Sequence, residues 1–145
     1  MALLSGLTVS CSPLRIIDLV SPRDGYQVYG DLAYGAADRQ RLDVYVPDQA
    51  AAPLPIVVFF YGGRWQRGDK REYRFVAQAL AERGVLVVVP DYRLYPDVVF
   101  PAFIEDGARA ILTAIPLTFY ALLAVPAARR WWTTRHQTAP VVGGV

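Results

Sequence analysis

Residues 55–71 read PIVVFFYGGRWQRGDKR, an apolar run that breaks into the pair Gly62 and Gly63 and then into Trp65 and a charged stretch. Glycines at the end of a strand let backbone N–H groups approach a ligand closely, and successive N–H groups in such a turn make an anion-binding concavity. The chemistry this spacing suggests is the holding of a negatively charged oxygen. Groups that could attack a substrate are scarce. All four serines, Ser5, Ser10, Ser12 and Ser21, precede the glycine pair, and His136 is the sole histidine. His136 sits in an Arg- and Thr-rich tail and reads as solvated. Cys11 lies in an irregular leader without the electropositive setting a reactive thiolate needs. Glu105 and Asp106 are adjacent carboxylates, but neighbours on a helix project about 100° apart and cannot flank one bond. They read as helix surface and as partners for an arginine. One histidine, one cysteine and scattered carboxylates lack metal-ligand spacing, so neither metal nor cofactor is expected.

The elements around the glycine pair follow from periodicity. Tyr26, Val28, Leu32 and Tyr34 alternate with polar or small residues, and so do Leu42, Val44 and Val46. The intervening GAADRQR has turn character, so the two runs predict an antiparallel pair. Ile56 to Tyr61 is a continuous apolar run, the pattern of a strand buried on both faces. Asp69 can cap a helix whose Tyr73, Val76, Ala77 and Leu80 recur at helical spacing, with Gly84 stopping it. Val85 to Val89 form a second continuous run. Strand, helix, strand over this length is a βαβ unit, whose ligands sit beyond the carboxyl ends of the strands. Pro101 suits the start of a further helix, PAFIEDGARAI, with Phe103, Ala110 and Ile111 as core contacts. The fold class is therefore α/β.

Composition sets further bounds. With 145 residues, 54% hydrophobic and 19% charged, the chain can bury a core of ordinary size. A net charge of +2 and the lack of a basic stripe interleaved with aromatics exclude a nucleic-acid partner. The 13 acidic residues all lie between Asp18 and Asp106, and residues 110–128 carry no charge before RRWW follows. Three parts are read from this: a leader at 1–20, a folded portion at 21–110, and a divergent apolar then basic tail at 111–145. The leader, MALLSGLTVSCSP, is similar to the end of a bacterial lipoprotein signal, which points to the cell envelope or secretion; an ordinary frayed terminus is the other reading.

Three segments taken together, VVFFYGGRWQRGDKREY, VLVVVPDYRLYP and FPAFIEDGARA, resemble the N-terminal half of α/β-hydrolases of the esterase and lipase group with an HGGG-type oxyanion loop. YQVYGDLAYGAADRQRLDVYVP is similar to that family's opening strands. The resemblance implies a truncated α/β-hydrolase fold and a carboxylic-ester hydrolase ancestry with a small ester as substrate. It also implies that the N–H groups of Gly62 and Gly63 hold the oxyanion of a tetrahedral intermediate, with Arg64 standing where a third glycine is usual. Asp91, Tyr92 and Arg93 match an architectural segment, with Arg93 expected to pair with Glu105 or Asp106 and so give Asp106 a structural role.

The family's serine elbow and late acid have no counterpart after the oxyanion loop in these residues, and His136 follows it with neither a nucleophile nor an orienting carboxylate, so no catalytic residue is assigned. The tail leaves two readings open. Either it is aberrant, as a shifted reading frame would produce, or residues 110–128 form a transmembrane segment of a non-catalytic membrane-associated or interaction protein. In both cases the Ile56 to Tyr61 strand is expected to present an exposed apolar edge that wants a partner.

Overall fold

The computed structural model describes residues 13–49 and 54–136, with side chains in the last helix described as far as residue 119. Cys11 and the rest of the leader before residue 13 lie outside them. The elements in chain order are α1 (Pro13–Val20), β1 (Tyr26–Ala33), β2 (Arg41–Pro47), β3 (Ile56–Val58), a short 3-10 turn (Lys70–Tyr73), α2 (Arg74–Ala81), β4 (Leu86–Pro90) and α3 (Ala102–His136). The sheet order is β1-β2-β4-β3. β1 and β2 are antiparallel, β2 and β4 are antiparallel, and β3 runs parallel to β4. The expected antiparallel pair followed by a βαβ unit and a further helix is present.

β4, apolar at every position, is the strand buried on both faces. Leu86 and Val88 join Leu42, Val44 and Val46 against Ala110 and Ala114 of α3. Val87 and Val89 point the other way, against Tyr61, Ala77 and Tyr92 on the α2 side. All five residues of β4 are buried, and each such valine contributes about 1.5–3 kcal/mol by leaving water. Helices thus cover both faces of a mixed sheet.

β1 is not regular. Its register with β2 shifts between Tyr29 and Leu32, and Asp31 within the bulge has φ 55°. The bulge turns Asp31 toward the α2 side, where its backbone N–H donates to the Asp43 carboxylate at 2.8 Å. Asp69, expected to cap a helix containing Tyr73, instead caps the 3-10 turn by accepting from the N–H of Arg71, and α2 begins after Tyr73 without a side-chain cap; Gly84 follows α2 at φ 77°.

Several expectations are corrected. The strand read from Ile56 to Tyr61 is only three residues long, and Ile56 is 48% exposed. It lies at the sheet edge with one neighbour, so one side of its backbone and part of its face stay open. Ile111, expected in the core, is exposed, whereas Ala110 and Ala114 make the contact with the sheet. The small side chains let the helix approach closely, and the large ones are turned outward. Asp106, expected on the helix surface, is completely buried.

α3 is one helix of 35 residues that continues past residue 110 and through Pro116 and Pro126. Each proline removes an internal N–H donor, and the flanking Ala, Leu and Ile are strong or adequate helix formers that carry the helix across. No helix among the described residues is long and apolar enough to cross a membrane. Part of the 110–128 stretch, from residue 120 on, falls outside the described side chains.

Candidate oxyanion site

β3 ends at Val58, and the chain then leaves the sheet beside β4, with the N–H of Phe59 still donating to Val88 O at 2.8 Å. Phe60 is exposed, and Tyr61 turns inward. Its ring stacks between Tyr73 and Tyr92, with centroids 5.2 and 4.9 Å away. Its hydroxyl donates to the Asp91 carboxylate. Burial pushes the Tyr61 hydroxyl well above the ordinary tyrosine range, and the hydrogen bond to Asp91 adds to the rise. Tyr61 is therefore a neutral donor.

The two glycines that follow are glycine for different reasons. Gly63 has φ 146°, and a Cβ there would lie 1.9 Å from the Arg67 carbonyl oxygen. No other residue fits. Gly62 is exposed, and a Cβ there would meet nothing within 4 Å. The packing of this chain does not demand a glycine at that position, and the space beside it is open. Arg64 and Trp65 continue the turn at φ 57° and 61°, left-handed values that cost about 1–2 kcal/mol each without glycine. The Arg64 side chain does not prevent the turn, but the backbone carries the strain.

Few bonds lie within the turn itself. The N–H of Gln66 donates to Gly63 O at 3.1 Å, and Trp65 O accepts from the N–H of Tyr95 at 2.7 Å. The Trp65 ring stacks on Phe103 of α3 at 5.2 Å and meets Tyr92 edge-on at 5.1 Å. Among the described residues, the N–H groups of Gly62, Gly63 and Arg64 have no backbone or side-chain acceptor. A turn with unclaimed donors, open on the Gly62 side, can accept an anionic oxygen.

Asp91, Tyr92 and Arg93 follow β4, and the first two brace this turn. Tyr92 donates its hydroxyl to Tyr61 O at 2.7 Å, and Asp91 also accepts from the N–H of Lys70 at 2.8 Å. Burial raises the Asp91 carboxyl above its usual range, because the bonds from Tyr61 and the Lys70 N–H do not offset the lost water. Arg93 meets Asp106 and not Glu105. Its Nη2 and Nε lie 2.7 and 2.9 Å from the two Asp106 oxygens, its backbone N–H is 3.0 Å from Oδ2, and Gln40 Nε2 donates to Oδ1 at 2.7 Å. Burial alone would raise the Asp106 carboxyl, but these donors outweigh it and hold it below the usual carboxylate range.

Two groups have no local sequence signal. Lys70 is buried, with Nζ at 2.6 Å from both Asp31 and Asp43. Burial works against the ammonium, but the two carboxylates prevail and its pKa is raised. The Gly30-Asp31 interruption of the β1 alternation is the one trace of this site in the sequence. Arg39, in the β1–β2 connection, reaches Tyr92 O at 2.9 Å, Gly68 O at 2.7 Å and the Tyr61 hydroxyl at 2.9 Å. Nothing in its local pattern marks it.

The BD-FAE family model matches residues 42–113, which contain β3, the glycine turn, α2, β4 and the start of α3. A kynurenine formamidase of Danio rerio is 33% identical over 89 residues, 61% of this chain and 30% of that protein. The isoprenylcysteine alpha-carbonyl methylesterase of Arabidopsis thaliana is 35% identical over 85 residues, 59% of this chain and 20% of that protein. Among solved structures, esterase B from Lactobacillus rhamnosis in a tributyrin phosphonate complex superposes with a TM-score of 0.62 at 26% identity, covering 68% of this chain and 33% of that one. The chain thus spans a third or less of the length of these relatives. The shared sheet, the matched segment and these relatives together show an α/β-hydrolase fold, and the chain is similar to members of that fold's esterase and lipase group.

Proposed function

We propose that this chain carries the oxyanion cradle of a carboxylic-ester hydrolase acting on small esters, and that these 145 residues do not by themselves complete a turnover. The observation that carries the reading is the turn at Gly62 and Gly63, whose N–H groups lack an acceptor and whose outer side is open. Preorganised backbone donors of this kind stabilise the charge that develops on a carbonyl oxygen under attack. The attack itself needs an activated nucleophile, and no serine follows Ser21 in the sequence. In this reading Gly62, Gly63 and Arg64 supply donors, while Asp91, Tyr92, Arg93 and Asp106 keep the turn, β4 and α3 in register. The exposed β3 edge leaves room for a partner against the sheet. Purified chain mixed with a short-chain nitrophenyl ester is expected to release nitrophenol at the buffer rate; a stoichiometric burst would overturn the reading.

A second reading, a non-catalytic membrane-associated protein, draws support from α3. Its backbone runs unbroken through the uncharged residues 110–128, and Leu112, Ile115 and Phe119 are exposed along it. Fractionation separates the readings: a chain held on the membrane surface sediments with membranes at low salt, and an unattached one stays in the supernatant.

A further inference from the structure

We infer that Arg39 is a positioning residue for the oxyanion turn, holding both of its ends from across the sheet; this rests on the reading of the turn as an oxyanion cradle. Residues 62–67 are bounded by Tyr61 and Gly68. Arg39 Nη2 donates to the Tyr61 hydroxyl on one side and to the Gly68 carbonyl on the other, at 2.9 and 2.7 Å. Its Nε donates to Tyr92 O at 2.9 Å, tying the same guanidinium to the segment that follows β4. The Asp91 carboxylate is 3.6 Å away. One planar group therefore joins the β1–β2 connection, both ends of the turn and the end of β4.

The turn needs such an external hold. It contains two non-glycine residues at left-handed φ, and among the described residues only the Gln66 to Gly63 bond closes it from within. Donors stabilise a developing oxyanion only if they already point at it, because reorienting them during the reaction forfeits the gain. Arg39 is itself held. Its neighbour Gln40 donates its N–H to Ala37 O at 2.9 Å and accepts the Tyr34 N–H at 3.0 Å, while the Gln40 side chain reaches Asp106. A lysine would not substitute. An ammonium is a compact point charge, and the three acceptors lie along two edges of a flat fork.

The test uses the full chain labelled with ¹⁵N, with Arg39→Ala and Arg39→Lys beside the parent. Amide hydrogen exchange is followed at Gln66, Lys70 and Tyr95, whose N–H groups are bonded in or next to the turn, and at Val87 and Val88 in the sheet. Arg39→Ala is expected to speed exchange at the first three at least tenfold while the sheet amides stay within twofold, and Arg39→Lys is expected not to restore protection. In the parent, sodium acetate is expected to shift the Gly62 and Gly63 amide peaks, with at least fivefold weaker binding in Arg39→Ala. Uniform acceleration of turn and sheet alike, or a turn unchanged in both variants, overturns the positioning role. If the parent ignores acetate, the cradle reading fails, and the exchange comparison still decides whether Arg39 holds the turn. Should Arg39→Ala not fold, Arg39→Lys and Tyr61→Phe carry the same comparison. Tyr61→Phe removes one of the three acceptors and is expected to raise Gln66 exchange about threefold; no change there would count against the proposal.

Discussion

Asp91 and Asp106 are both buried carboxylates that brace the same sheet, yet their environments drive them in opposite directions. Asp106 receives a two-pronged guanidinium, a backbone N–H and an amide, and is held below the usual carboxylate range despite full burial. Asp91 receives a neutral tyrosine hydroxyl and a backbone N–H, with the nearest guanidinium nitrogen at 3.6 Å, and burial raises it. The region under α3 is thus latched by a satisfied charge pair. The region under the glycine turn is a network of mostly neutral donors around a carboxylate that favours its proton more than a free one would. Burial alone does not set the sign of a shift; the number and charge of the donors do.

The largest expected effect comes from Asp106→Asn. Both Asp106 oxygens face donors, so an asparagine must aim its own N–H₂ at an arginine or an amide. Urea unfolding is expected to show a loss of about 2–4 kcal/mol, at or below the range for breaking a buried pair because Arg93 is partly exposed. Asp91→Asn is the counterpart. Its Oδ1 accepts from both Tyr61 and the Lys70 N–H, and an asparagine oxygen can keep both bonds. The change is expected to stay within about 1 kcal/mol. Equal losses in the two variants would erase the distinction.

Acid titration sharpens it. The folded pKa of Asp106 is depressed, so its contribution is present above the unfolded carboxylate pKa and is lost as pH falls through the folded value. The folded pKa of Asp91 is raised, so the folded state binds its proton first and gains stability as pH falls through that value. Asp106→Asn should therefore flatten the acid limb of stability against pH, and Asp91→Asn should steepen it. The smallest expected effect is in the turn itself. Arg64→Gly relieves a left-handed non-glycine at the cost of a more flexible unfolded chain, for a net gain of about 0.5 kcal/mol.

The same contrast explains how much was legible in the sequence. Local pattern located β1, β2, β4, the Asp69 cap and the Gly84 stop, because each depends on neighbours within a few residues. It also marked the glycine pair, though not that the backbone demands Gly63 while the packing leaves the space beside Gly62 open. Arg39 and Lys70 left almost no trace, since their partners are 22 to 53 and 27 to 39 positions away. Ile56 to Tyr61 and Val85 to Val89 look alike as apolar runs. One became a three-residue edge strand and the other a fully buried centre, and the difference is the number of neighbours in the sheet. Periodicity records what a segment can bury, not what arrives to cover it.

The central claim is that the turn after β3 offers unclaimed backbone donors to an anionic oxygen. Following the Gly62 and Gly63 amide peaks by NMR while a small carboxylate is added measures this directly. Saturable downfield movement confined to residues 62–65, with β4 unmoved, is the predicted result; peaks that stay in place up to high carboxylate, or that move together with the whole spectrum, would contradict it.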